Sequence, residues 1–205
     1  MIGIIDGCFE AGPAVWHKEV LWALTQGIHV FGAASMGALR AAELDSFGMR
    51  GVGAVYEAFR TGALQDDDEV AVMHAPVELG YRPLTEAMVD IRATIVHGVT
   101  SGRIAQRTGD LLIHIAKRMF FKDRIWPGIL ELAGKHRLMG KDLTDFPGWL
   151  AHNRVEQKRL DALEMVQRME DFLAGKPPPF RPRFVFQHTL FWQALIEERG
   201  KAGGS

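Results

Sequence analysis

The feature that most constrains the fold is a strand, a tight turn and a helix encoded by residues 29–44. Residues 29–32 are a short run of aromatic and β-branched character, and an alanine-rich segment with high helix propensity follows Ser35. Small residues two positions before and after the serine, Ala33 and Gly37, allow the chain to bend sharply. This order predicts that Ser35 lies at the carboxyl end of a strand, directly before a helix, in an α/β fold.

The Ser35 turn has two interpretations. It resembles the nucleophile elbow G-x-S-x-G, with Ala33 in the place of the first glycine. The free N–H groups of the following helix, near Met36 and Gly37, could then stabilise an oxyanion or bind an anion. Serine is also a favoured helix N-cap, so the same pattern is typical of a purely structural turn.

The residues before this turn predict a second strand that ends at polar residues. Residues 2–5 are apolar and are followed by Asp6-Gly7, a turn pair at the carboxyl end of the strand. Open α/β sheets bind ligands at that edge. A helix is expected from Pro13 to about Gln26, closed by Gly27. A strand, helix, strand and helix in this order favour a parallel strand pair.

The remaining chain is dominated by helical patterns. A helix is expected from Thr85, as N-cap, to about Gly98, and amphipathic helices are expected over 109–121, 127–138 and 147–173. On the last of these, charged side chains, Lys158, Arg159 and Asp161, are expected mostly on the outer side. The fold class is therefore α/β, with a small, mostly parallel sheet and flanking helices in the N-terminal half and a helical C-terminal half. The expected division is a core over 1–100, a helical layer over 101–200 and a disordered tail over 201–205.

Composition excludes several function classes. The formal net charge of −1 gives no field that would attract nucleic acid or anionic lipid. No apolar run approaches the roughly 20 residues of a membrane span, and Cys8 is the single cysteine, which rules out an intrachain disulfide. We expect a cytoplasmic protein without a nucleic-acid or membrane partner, and without a cofactor or a metal. Cys8 is interpreted as a small buried thiol rather than a persulfide carrier.

Several polar residues outside the turn are candidates for a site. Arg40 and Glu43 are three residues apart on the helix after Ser35 and either form an ion pair or leave Arg40 facing an anion. His17 and His74 are the candidate bases for Ser35. The acidic residues 66–69 need solvent, a helix N-terminus, arginines or a divalent cation to offset their repulsion, and Arg92 could reach them.

Taken together, the motifs resemble the TfuA-like family. The resemblance is dense over residues 3–100 and extends more loosely to Gln157-Lys158-Arg159 and Asp161-Ala162. Its dense motifs are Asp6-Gly7 with Phe9-Glu10, residues 13–19, residues 32–44, Phe47-Gly48-Met49, residues 67–70 and Arg92-Ala93-Thr94.

The resemblance implies an accessory protein of a YcaO-type ATP-dependent enzyme, which replaces a backbone amide oxygen of a peptide or protein substrate with sulfur. The family implies help with sulfur delivery, in part by release of sulfide from a small thiocarboxylated carrier protein. Such a reaction is acyl transfer and needs a nucleophile, a base and an oxyanion hole. The predicted catalytic residues are Ser35 with His17 or His74, and the predicted substrate-binding residues are Asp6, Gly7, Met36, Gly37, Arg40, as the partner of the thiocarboxylate, and Arg92.

Two departures from the family pattern and two rival functions remain open. The motif Asp6-Gly7 lies almost at Met1, which predicts an exposed sheet edge, and Cys8 occupies a position where an aromatic residue is more usual.

The main rival is a non-catalytic adaptor that recruits substrate or carrier to a YcaO enzyme, or stimulates it. The other is an unrelated serine hydrolase of small esters.

Overall fold

The computed structural model describes residues 1–7, 14–135, 142–190 and 192–194. Cys8, Phe9-Glu10 and Pro13 lie outside the described residues. So do residues 195–205, which include the expected tail.

A small parallel sheet forms the centre of the N-terminal half. Its strands are β1 (Ile2–Ile4), β2 (Val30–Ala33) and β3 (Arg50–Val52), in the order β1-β2-β3. The register pairs Gly3 with Phe31 and Gly32 with Gly51. The parallel order confirms the predicted α/β class, and β1, with Ile2 exposed, lies at an edge of the described sheet.

Helices flank the sheet and make up the C-terminal half, as predicted. In the N-terminal half they are α1 (His17–Thr25), α2 (Met36–Leu44) and α3 (Ala54–Arg60). The later ones are α4 (Met88–Thr100), α5 (Gln106–Arg118), α6 (Trp126–Gly134), α7 (Asp142–Asn153) and α8 (Gln157–Ala174). Gly27 has φ +77° just after α1, which fits its predicted role in ending that helix. None of the described helices has the length and apolar character that crossing a bilayer requires.

Three helix predictions are wrong in detail. The first helix begins at His17 and not at Pro13, because residues 14–16 are described and are not helical. Thr85 does not cap α4, which begins at Met88; its hydroxyl instead accepts a hydrogen bond from the Met73 amide at 2.8 Å. The helix expected over 147–173 is two helices, α7 and α8, and Pro147 lies inside α7 rather than opening it. The break is fixed by α4, because the Thr94 hydroxyl accepts a hydrogen bond from the Val155 amide at 2.9 Å.

Helix α8 packs directly on the sheet rather than only on other helices. Met165 is buried against Phe31 and Val52 of the strands. Asp161, one turn earlier, is 1% exposed, and its carboxylate accepts a hydrogen bond from the Val55 amide at the start of α3 at 2.8 Å. The expectation that Asp161 faces outward is therefore wrong, because α8 is covered by α3 and the sheet on this side. Arg159 is exposed, as predicted.

Candidate functional site

The turn at Ser35 has the local geometry of a sharply bent junction. Strand β2 ends at Ala33 and α2 begins at Met36, so two residues make the connection. Ala34 has φ +70°, in the left-handed region that costs a residue with a Cβ about 1–2 kcal/mol. Backbone strain of this kind persists where the surrounding fold enforces it, and it is frequent at functional sites.

Close contact between α2 and the strands fixes the bend. The Ser35 and Gly37 amides both donate to the carbonyl oxygen of Ile5 at 3.2 Å. A Cβ on Gly37 would lie 1.8 Å from the Ile4 carbonyl oxygen, and a Cβ on Gly32 would lie 2.1 Å from the Gly37 carbonyl oxygen. Glycine is therefore required at both positions, because the start of the helix touches the strand backbone.

The Ser35 side chain does not act as a helix cap. Its hydroxyl makes no hydrogen bond to the first amides of α2, although the residue is 3% exposed. Its Oγ instead lies 3.5 Å from the carbonyl oxygen of Val70, a long and weak contact. The hydroxyl is thus not used for capping, which removes the main structural explanation for a serine at this turn.

The two amides predicted to form an oxyanion hole, those of Met36 and Gly37, differ in whether they already have a hydrogen-bond acceptor. The Gly37 amide donates to the Ile5 carbonyl oxygen at 3.2 Å, so it has an acceptor within the fold. The Met36 amide, the first of α2, has no acceptor among the residues that the structure describes. Within that part of the chain, a free donor at a helix N-terminus therefore lies beside Ser35.

A cavity of about 620 Å³ borders the serine. Its wall brings together five of the predicted site residues, Ser35, Met36, Asp6, Gly7 and His74. They meet because the carboxyl end of β1, the start of α2 and the segment 70–75 converge at this point. Of the two candidate bases, only His74 borders this cavity. Neither imidazole is hydrogen-bonded to the Ser35 hydroxyl within the described part of the chain, and such bonds are often long in an unliganded site.

His17 and Arg40 lie away from the cavity. His17 Nε2 is 2.6 Å from a Glu43 carboxylate oxygen, and the Arg40 guanidinium donates to the same oxygen at 2.8 Å. Arg40 also donates to the Val15 carbonyl at 2.9 Å. These contacts fasten the segment before α1 to α2, which is a structural role.

Lys158 borders the cavity, in contrast to its expected place on the outer side of its helix. Its side chain is 15% exposed, and its ammonium donates to the Val70 carbonyl at 3.0 Å and lies 3.4 Å from an Asp6 carboxylate oxygen. The expectation is wrong because the first turn of α8 lies across the end of the sheet, against α4. The sequence signal that points to Lys158 is the resemblance to the TfuA-like family, which includes Gln157-Lys158-Arg159.

Three of the acidic residues at 66–69, Asp66, Asp68 and Glu69, pair with basic side chains. Arg92 makes two hydrogen bonds of 2.9 Å to Glu69, and Lys117 contacts Asp66 and Glu69 at 3.0 Å each. Asp68 pairs with Lys117 and with the fully buried Arg124. Burial acts to raise the pKa of Asp68, but the hydrogen bonds from these two cations outweigh it, so the pKa lies below its ordinary value.

The cluster of Asp66, Asp68 and Glu69 binds Arg92 away from the cavity beside Ser35. The carboxylate oxygens of Asp66, Asp68 and Glu69 lie within 4.8 Å of one another, which is a spacing that could hold a metal ion. The Lys117 ammonium contacts all three carboxylates, so it supplies the positive charge that they need. Arg92 is bound to Glu69 and does not line the cavity beside Ser35.

A second cavity, of about 380 Å³, lies on the other side of Lys158. The two cavities share Asp6, Val72, His74 and Lys158 as wall residues, and they therefore adjoin. Glu86 and Asp90 of the second cavity have raised pKa values, in both cases mainly because burial disfavours the carboxylate. Together, the two adjoining cavities beside Ser35 are larger than one small ligand would need.

Two comparisons with known proteins bear on the family of this chain. A search of curated proteins finds no match to the chain. A family model described as TfuA-like protein matches residues 6–125, a range that contains β2, the Ser35 turn, α2 and the acidic cluster. This match covers more than half of the sequence, and the chain therefore belongs to the TfuA-like family.

Proposed function

We propose that this protein delivers sulfur to a YcaO-type enzyme by hydrolysing a thiocarboxylated carrier protein at Ser35. The TfuA-like family is associated with YcaO-type thioamidation systems, and the chain shares that family-level role. The observation that carries the finer proposal is the Ser35 hydroxyl. It is free of a capping role and borders a cavity, beside a helix amide that has no acceptor among the described residues.

The proposed reaction is acyl transfer in two steps. The Ser35 oxygen bonds to the terminal thiocarboxyl carbon of the carrier, the C–S bond breaks, and the serine proton leaves with the sulfur as hydrosulfide. Water then adds to the resulting ester, and the C–O bond to Ser35 breaks, which returns the hydroxyl and leaves the carrier with a carboxylate. The Met36 amide would hold the oxyanion of each tetrahedral intermediate.

The structure supports one of the two predicted bases for this scheme. His74 borders the cavity, whereas His17 pairs with Glu43 outside it. We therefore propose His74 as the residue that moves the serine proton and later activates the water. Gly7 and Asp6, at the end of β1, border the same cavity, in which the end of the carrier would bind.

The experiment that tests the proposal measures sulfide release without the YcaO enzyme. A small sulfur-carrier protein bearing a C-terminal thiocarboxylate is incubated with the purified chain. We expect Ser35→Ala to lower the rate by roughly two orders of magnitude or more, as for other enzymes that lose their nucleophile. The control is Ser101→Ala, because Ser101 is an exposed serine at the end of α4 whose hydroxyl bonds to the His97 carbonyl. We expect it to have the wild-type rate.

The same assay separates catalysis from an adaptor role. If Ser35→Ala releases sulfide at the wild-type rate, the serine is not the nucleophile. If the chain alone releases none, but stimulates thioamidation by the YcaO enzyme equally with and without the Ser35 hydroxyl, the chain is an adaptor.

A further inference from the structure

We infer that Lys158 is the cation that recognises the ligand of this site, and that the ligand is the terminal carboxylate or thiocarboxylate of an extended polypeptide. The inference rests on the proposed function for the identity of the polypeptide, but it concerns binding rather than the reaction. Lys158 thus has the anion-binding role that the sequence predicted for Arg40.

The Lys158 side chain is held in a defined place at the junction of the two cavities. Its backbone amide donates to the Asp90 carboxylate at 3.0 Å, and the preceding Val155 is bound through its amide to Thr94. Both partners belong to α4, where Thr94 is buried and Asp90 is partly buried. The start of α8 is therefore fixed before any ligand binds, which lowers the entropic cost of using this lysine for recognition.

The ammonium still has capacity to bind an anion. It carries three N–H donors, and two acceptors are found for them among the described residues, the Val70 carbonyl and the Asp6 carboxylate. The contact with Asp6 is 3.4 Å long, and the Asp6 side chain is 41% exposed, so this ion pair is weak and can be displaced. The Lys158 side chain itself is 15% exposed, where an ionic hydrogen bond is stronger than in water.

The position of the ammonium relative to Ser35 selects the chemical class of the ligand. Lys158 Nζ and Ser35 Oγ both contact the Val70 carbonyl oxygen, so a group bound to the ammonium is beside the serine. A terminal carboxylate or thiocarboxylate has its negative charge on the atoms next to the carbon that Ser35 would attack. The adjoining second cavity provides space for the residues that precede this terminus.

Other basic side chains near the site do not fit this role as well. Arg154 and Arg159 line only the second cavity and pair with Glu86 and Glu156. Arg40 is bound to Glu43 and Val15, and Arg92 is bound to Glu69. Lys122 borders the first cavity, but it is exposed and lies over the rings of Phe120 and Phe121 at 5.6 and 5.3 Å. Lys122 is therefore the matched control, a lysine of the same cavity without the contact to Val70.

The test compares two forms of one synthetic peptide that copies the end of the carrier, one with a terminal carboxylate and one with a terminal amide. Calorimetry on the full chain measures the affinity for each form. We expect the wild-type chain to prefer the carboxylate by roughly ten- to a hundred-fold. Lys158→Met should remove the preference, Lys158→Arg should retain part of it, and Lys122→Met should keep it. Asp6→Asn should tighten carboxylate binding.

The outcomes distinguish this inference from the proposed reaction. Ser35→Ala should keep the preference for the carboxylate, because binding needs no nucleophile. If Ser35→Ala releases sulfide normally but Lys158→Met loses the preference, the inference holds and the reaction scheme fails. If Lys158→Met has a wild-type melting temperature and keeps the preference, or if the wild-type chain binds both peptides equally or neither, the inference is wrong.

Discussion

The Ser35 hydroxyl and the Lys158 ammonium donate to one acceptor, the carbonyl oxygen of Val70, at 3.5 and 3.0 Å. One side chain comes from the turn between β2 and α2 and the other from the first turn of α8. The candidate site therefore needs the C-terminal helices as well as the α/β part. Substitutions that weaken the packing of α8 should therefore alter the site even though they leave Ser35 in place.

The close approach of α2 to β1 predicts that Gly37→Ala is strongly destabilising. The new Cβ would lie 1.8 Å from the Ile4 carbonyl oxygen, a contact that backbone atoms cannot relieve without moving α2. We expect a loss of about 3 kcal/mol or more in the free energy of unfolding, measured by urea denaturation. Gly134→Ala, in α6, is the control. Its new Cβ would meet no atom of the described residues beyond its own stretch of helix within 4 Å, so it should be neutral or slightly stabilising. Equal effects of the two substitutions would show that α2 is not pressed against the strand.

The buried Asp161 carboxylate predicts a link between α8 and α3. Asp161→Ala removes the acceptor of the Val55 amide and of the Gln157 side chain, and we expect a loss of about 1–3 kcal/mol in the free energy of unfolding. Asp171→Ala, farther along α8, removes an exposed contact with Gln167 and should cost less than about 0.5 kcal/mol. A stability of Asp161→Ala equal to that of Asp171→Ala would contradict the docking of α8 on α3.

The pairing of Asp68 with Arg124 predicts a stability that depends on pH. Because the pKa of Asp68 is lower in the folded than in the unfolded chain, its contribution is present at neutral pH and is lost as the pH falls through the folded pKa. Asp68→Asn leaves the fully buried Arg124 without its carboxylate, and we expect a loss of about 3 kcal/mol at pH 7. The difference from the wild-type chain should shrink below about pH 4. A difference that stays constant from pH 7 to the acid limit would contradict the ion pair.

Asp90 should show the opposite dependence. Burial raises its pKa in the folded chain, so its contribution to stability is full below the unfolded pKa and is lost as the pH rises through the folded pKa. Asp90→Asn keeps an acceptor for the Lys158 amide and removes the charge. The stability of this variant relative to the wild-type chain should therefore increase from mildly acid to neutral pH. Thermal melts across this range would contradict the account if the relative stability decreased instead.

The parts of the fold that depend on local patterns could be predicted from the sequence. Strands β1 and β2 and the bend at Ser35 follow from apolar runs, small residues and helix propensity within a few positions, whereas β3 was not predicted because it is short and rich in glycine. The contact of Arg92 with the acidic residues could also be predicted, because an arginine on a neighbouring helix can offset a group of carboxylates.

The remaining features depend on contacts between distant segments. Thr85 has the pattern of an N-cap, but its hydroxyl bonds to Met73, a residue of the neighbouring segment. Lys158 and Asp161 are charged residues that a helical pattern places outward, yet both are covered because α8 packs on α3, α4 and the sheet. The hydrogen-bond acceptor of the Gly37 amide could not be predicted from the sequence, because it is the carbonyl oxygen of Ile5, which follows another strand.

The central claim is that Ser35 forms a covalent bond with the carrier. The most direct measurement is a single-turnover reaction with the thiocarboxylated carrier, quenched at short times and analysed by intact-protein mass spectrometry with peptide mapping. The account predicts an adduct on Ser35 with the mass of the carrier less hydrogen sulfide, forming as sulfide appears and absent from Ser35→Ala. Sulfide release at the wild-type rate by Ser35→Ala, with Ser35 of the wild-type chain unmodified at every time point, would contradict it.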